Sequence, residues 1–207
     1  MEWLSAQRQA AHRFFREQYG RFVRTTAIVF IALILLTFAA GMLLPRQAEA
    51  IVDMFSRFMY ESGVLDTDGS VQAAALLFLS NLRAVALGVL YGLIPFLFLP
   101  ALPLGINAMV IGLFASYYVQ NGMSLLTFLA GVLPHGIFEL PALVLGIALG
   151  LCLCRGLTDY VRKNTKGVMV PLFLNLARVF LLWIVPLLAV AAIIETYITP
   201  VILQWFI

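Results

Sequence analysis

The chain has 207 residues, 63% of them hydrophobic and 11% charged, with a formal net charge of +3. Soluble domains carry about 25% charged residues, so the composition excludes an ordinary soluble domain. Its long continuous apolar runs also argue against a membrane barrel, whose strands alternate. The positive charge is no sign of nucleic-acid binding, because the basic residues flank apolar runs, where the positive-inside rule places them.

Taken in chain order, residues 3–24 form an amphipathic cytoplasmic leader. Leu4, Ala11, Phe14, Phe15, Phe22 and Val23 recur at helical spacing, with Arg8, Arg13, Arg16, Arg21 and Arg24 between them. Such a segment either lies on an anionic leaflet or serves as a solvated basic leader that sets topology. The apolar run 25–44 is longer than the 7–15 residues of a signal-peptide core, so it reads as a retained first span, ended by Pro45. Segment 46–70 carries Glu49, Asp53, Glu61, Asp66 and Asp68 against two basic residues and belongs outside. Within it Ile51, Met54, Phe55, Phe58 and Met59 make an amphipathic helix, 46–62. It packs on the outer membrane surface, caps the bundle or docks a partner. Asp66-Thr-Asp-Gly-Ser70 is a turn, with Ser70 placed to cap the next helix.

Further membrane segments follow at 71–99, 104–119, 124–154 and 168–194, with a turn at Gln120-Asn121-Gly122. As a straight helix 124–154 would be about 45 Å long, more than a ~30 Å hydrocarbon core. Pro134, Gly136 and Pro141 therefore suggest a broken or re-entrant fourth helix. Charge tests the count. Arg155, Arg162, Lys163 and Lys166 make the loop 155–167 cytoplasmic. Only five crossings, with 124–154 counted once, put that loop and the leader inside and the acidic segment and apolar tail outside. The expectation is one all-α membrane domain over 1–207, in a bacterial plasma membrane, with a cytoplasmic N-terminus and an extracytoplasmic C-terminus.

Polar residues inside apolar segments are costly and often functional. Asn81, Arg83, His135, Glu139, Asn175 and Arg178 are such residues, and Asn107 opens the third segment. The economical arrangement pairs Glu139 with Arg83, Arg178 or both, with the asparagines and His135 completing the hydrogen bonds. His135 and Glu139, at i and i+4, share a face if the backbone is helical. No catalytic residue, cofactor or metal site is expected: His135 and Glu139 are two good ligands with no evident third, and no phosphate-loop or nucleophile motif is present. Cys152 and Cys154 imply no disulfide framework. Leu77–Arg83 and Leu172–Arg178 echo each other weakly, as inverted repeats do. Gly146 and Gly150 form a small-x-x-x-small pair for packing within the chain or against a second copy.

Several of these residues resemble the stage II sporulation protein M family: the Asn81 helix with Gly88 and Gly92, Asn107-x-x-x-x-Gly112, Pro134-His135-Gly136-Ile137-x-Glu139 with Gly146 and Gly150, and the closing Ala191-Ala192-Ile193-Ile194-Glu195-Thr-Tyr-Ile-Thr-Pro200. The likeness covers roughly residues 75 to 200, and His135, Glu139 and Glu195 occupy its signature positions. It implies a membrane protein that scaffolds peptidoglycan-remodelling partners and is not itself a hydrolase. It brings no catalytic residues. The expected function is thus a non-enzymatic scaffold that recruits envelope-remodelling proteins through the outer helix. The alternative is a small transporter or channel with a midplane site at Glu139 and His135.

Overall fold

The computed structural model describes residues 2–61, 69–163 and 167–206. The Asp66–Asp68 part of the expected turn and Lys166 lie outside that set. All regular elements among the described residues are helical, and five helices are long and apolar enough to cross a membrane. The helices are α1 (Glu2–Phe14), α2 (Gly20–Leu43), α3 (Pro45–Glu61), α4 (Val71–Leu90), α5 (Ala101–Gln120), α6 (Leu125–Lys163), α7 (Met169–Val179), α8 (Val185–Tyr197) and α9 (Thr199–Leu203). A π turn at Phe15–Tyr19 carries α1 into α2, and another at Phe180–Ile184 carries α7 into α8. Ile28, Ile31, Leu35, Leu36, Leu76, Leu79, Ile137, Leu181 and Ile193 are all exposed, the belt of apolar side chains that a lipid-facing surface requires.

The leader is neither solvated nor free. Ala11, Phe14 and Tyr19 are buried, the Tyr19 hydroxyl donates to the Leu145 carbonyl at 2.5 Å, and Trp183 of the last span lies between His12 and Phe15 at ring distances of 5.2 and 5.5 Å. Its arginines stay on the opposite, exposed face. After α2, Leu44 breaks the helix, and Pro45 opens α3, because proline is tolerated in a first turn. The Ser70 hydroxyl caps α4 by accepting from the Ala73 N–H at 3.1 Å.

The fourth span corrects the expected break. α6 runs without interruption from Leu125 to Lys163 with Pro134 and Pro141 inside it. A proline costs a helix one hydrogen bond and a clash with the carbonyl four residues back. These two stand seven residues apart, on one stripe of the helix, so the losses fall on one side. α6 is also the central helix: Ala142–Val144, Gly146–Gly150 and Cys152–Cys154 are all buried, and that packing outweighs local propensity. The interruption in the bundle comes elsewhere, at Ile198, where the last span ends and α9 turns off beside Pro200.

Glycines set the helix spacing. A Cβ on Gly92 would stand 2.1 Å from the Gly150 carbonyl oxygen, and one on Gly146 would stand 2.2 Å from Val85. Gly112 meets Thr37 and Gly41 meets Ser116 in the same way. Both contact series rise together along the two chains, so α4 runs parallel to α6 and α2 parallel to α5. That is the direction five crossings require, with the first and third spans going one way and the second and fourth the other. The connection 94–100 is strapped to the C-terminal end of α6: the Phe96 N–H donates to Thr158 Oγ1 at 3.0 Å, Cys154 Sγ lies 3.4 Å from the Ile94 carbonyl, and the Arg162 guanidinium sits 5.4 Å from the Phe96 ring centroid. These contacts hold Phe96 and Phe98 at φ of 70° and 49°, a region that costs a side chain roughly 1–3 kcal/mol.

Gly92→Ala should destabilise the protein by about 1–3 kcal/mol, the usual penalty of overpacking against atoms that cannot move. Gly105→Ala, which meets nothing within 4 Å, should be neutral or stabilising by about 0.5–1 kcal/mol. Thermal unfolding in detergent, followed by a thiol-reactive dye on the buried Cys152 and Cys154, measures both.

Candidate functional site

The eight polar residues singled out in the sequence separate into four places. Asn107 is satisfied within its own helix, its Nδ2 donating to the Pro103 carbonyl at 2.8 Å. Arg83 is exposed on the flank of α4, and Asn81 is half-buried nearby. Arg83 lies about 10 Å from the end of α4 at Leu90, a distance a long side chain can reach toward a headgroup layer there. Arg178 faces the leader, donating to Gln7 Oε1 at 2.5 Å and to Asn175 Oδ1 at 2.7 Å. It therefore ties α1 to the last span. The internal echo does not extend to these contacts, since Asn81 and Arg83 have no equivalent bond among the described residues.

The expected pairing of Glu139 with Arg83 or Arg178 is not what forms. Among the described residues the ion pairs are Arg155–Asp159 at 3.0 Å and Lys163–Asp159 at 3.4 Å, near the C-terminal end of α6. Glu139 has different company. The unbroken α6 puts His135 and Glu139 on one face, and the end of α8 brings in Glu195. One ligand atom from each of the three lies within 4.8 Å of the other two, and all three side chains are half-buried. The physical reason is azimuth. Sequence fixes the depth of a residue in a span, but the direction it faces depends on packing, and both arginines look away from α6.

Thr199 completes the group. Its hydroxyl stands 3.4 Å from His135 Nδ1 and donates to the Ile194 carbonyl at 3.2 Å. A Thr199 proton given to Ile194 favours the tautomer with hydrogen on Nδ1 and the lone pair on Nε2. Glu195 and Thr199 stand four residues apart at the end of the last span, so one face brings both to α6. Past Thr199 the tail stays on α6, with Leu203 3.8 Å from the Cβ position of Gly131 and Thr127 Oγ1 3.3 Å from the Phe206 carbonyl. Thr199 and Gln7 were missed in the sequence. The Ile-Thr-Pro ending was the one available signal for Thr199, and Gln7 in a polar leader offered none.

Chemically, the arrangement can hold a proton or a cation. Two like charges 4 Å apart repel by about 4 kcal/mol at an effective dielectric of 20, so two carboxylates with no lysine or arginine paired to them favour a shared proton, a protonated His135 or a bound cation. One imidazole and two carboxylates also form a donor set that divalent metals accept. The third ligand missing from the sequence reading is Glu195.

Fold and site together define a helical, multi-span membrane protein built around a central helix, with an acidic cluster where that helix meets the end of the last span. Residues 23–200 match the family model of stage II sporulation protein M. The chain belongs to that family. No curated protein and no solved structure matches it significantly.

If Glu139 and Arg178 are independent, the stability effects of Glu139→Gln and Arg178→Met should add to within about 0.5 kcal/mol. Glu139→Gln and Glu195→Gln should couple by more than that. A double-mutant cycle on detergent unfolding midpoints measures both.

Proposed function

We propose that this protein is a non-enzymatic scaffold of a bacterial plasma membrane that recruits peptidoglycan-remodelling proteins at its outer face. The observation that carries the reading is the two-sided character of α3. One side is packed: Ala48 and Val52 are buried with Leu113, and Phe55 stacks edge-on to Phe114 at 5.8 Å. The other side exposes Met54, Phe58 and Tyr60 beside a stripe of Glu49, Asp53, Arg57 and Glu61 at four-residue spacing. An apolar strip edged by charge, on a helix anchored to the bundle, suits protein recognition better than lipid contact. Family membership supports the same reading.

The orientation that goes with it has the leader in the cytoplasm and α3 and the tail outside. In a background free of native cysteines, Gln47→Cys and Gln204→Cys should react with a membrane-impermeant maleimide in intact cells. Gln9→Cys should react only after permeabilisation. The reverse pattern would overturn the topology.

Met54→Lys with Phe58→Lys should leave the detergent unfolding midpoint unchanged, since both side chains are exposed. The same pair should reduce in-cell crosslinking from α3 to envelope proteins at least tenfold. Undiminished crosslinking would sink the docking role. A second reading, cation transport, draws on the convergence of His135, Glu139 and Glu195. It requires flux in proteoliposomes that Glu139→Gln abolishes, whereas the scaffold reading requires none.

A further inference from the structure

The cluster at the α6–α8 junction is built in layers that a simple meeting of carboxylates would not need. The inner layer is His135 and Glu139 from α6 and Glu195 from α8, with their ligand atoms within 4.8 Å of one another. The outer layer is Thr199, which holds the imidazole by Nδ1 and is itself held by the Ile194 carbonyl. Metal-bound histidines are commonly oriented in this way, by a hydrogen bond at the ring nitrogen that does not face the ion. The remaining Nε2 lone pair and the two carboxylates then supply three donors from two helices.

Charge and distance agree with this. Two carboxylates and one divalent cation sum to zero, the only net charge that an apolar membrane interior accepts cheaply. Tetrahedral ligands about 2.1 Å from zinc stand about 3.4 Å apart, so donors at the observed separation need to close by little more than an ångström. No lysine or arginine among the described residues forms an ion pair with either glutamate.

We propose that His135, Glu139 and Glu195 bind one divalent transition-metal cation of the zinc class, and that this ion clamps the central helix α6 to the end of α8. Thr199 is a positioning residue that presents the imidazole. The site is independent of the docking role of α3: one concerns the integrity of the bundle, the other its outer surface.

The test uses the full-length protein purified in detergent, with zinc as the probe. Elemental analysis should find about one zinc per chain. After chelation, added zinc should raise the unfolding temperature by several degrees. His135→Ala, Glu139→Gln and Glu195→Gln should each abolish the retained zinc and the zinc-dependent shift. Thr199→Ala keeps all three ligands and should weaken zinc binding by about 10- to 100-fold with the metal-free unfolding temperature little changed. It decides the matter even if a ligand variant does not fold. Less than 0.1 zinc per chain with no shift on adding zinc or manganese would overturn the proposal. So would zinc binding undiminished in the ligand variants, which would locate the ion elsewhere.

Discussion

Everything in this bundle leans on how closely α4 and α6 approach. The Gly92–Gly150 contact leaves no room for a single methyl group. Helices in lipid gain little from hiding apolar surface from one another, since the tails are just as apolar, so packing and close backbone contact carry the association. Gly88, Gly92, Gly146 and Gly150 provide it here. With α4 seated against Gly146 and Gly150, α6 is held in the bundle and remains helical through two prolines. A straight α6 in turn keeps His135 and Glu139 on one face, opposite the end of the last span.

The last span then does what the fourth was expected to do. Its interruption at Ile198 falls between Glu195 and Thr199, which both face α6. The leader is fixed by the same span, through Arg178 to Gln7 and Trp183 to His12 and Phe15. α6 and the α7–α8 helix therefore form the frame against which the leader and the tail are placed.

Much of this was legible in the residues, for definite reasons. Apolar length located the spans, Ser70 marked a helix start, Asn121-Gly122 marked a turn, and the signs of the loop charges gave the crossing count. These signals are local or additive. Two features were not legible. Whether Pro134 and Pro141 break α6 depends on what packs around it, which no window of sequence contains. Whether Glu139 meets an arginine depends on the rotation of three helices about their axes. Arg83 and Glu139 can share a depth and still face opposite ways. Glu195 was recognised as a signature position but was placed in the tail, because the span was expected to end at Ile194; three more helical residues bring it into the cluster.

The parallel pairing of α2 with α5 has a consequence for how the protein is made. Neighbours in sequence can zip together as hairpins while the chain emerges, but α2 must wait in the bilayer until α3, α4 and α5 have been synthesised. A polar group meant for a distant partner would be stranded during that interval. Thr37 avoids the problem: its hydroxyl reaches the Leu33 carbonyl of its own helix at 2.8 Å and the Ala108 carbonyl of α5 at 3.1 Å. The hydroxyl's single proton goes to Leu33 from the moment the helix forms and is shared with Ala108 on docking. The interface thus carries its own holding position, so insertion of the first span need not be timed to the arrival of the third.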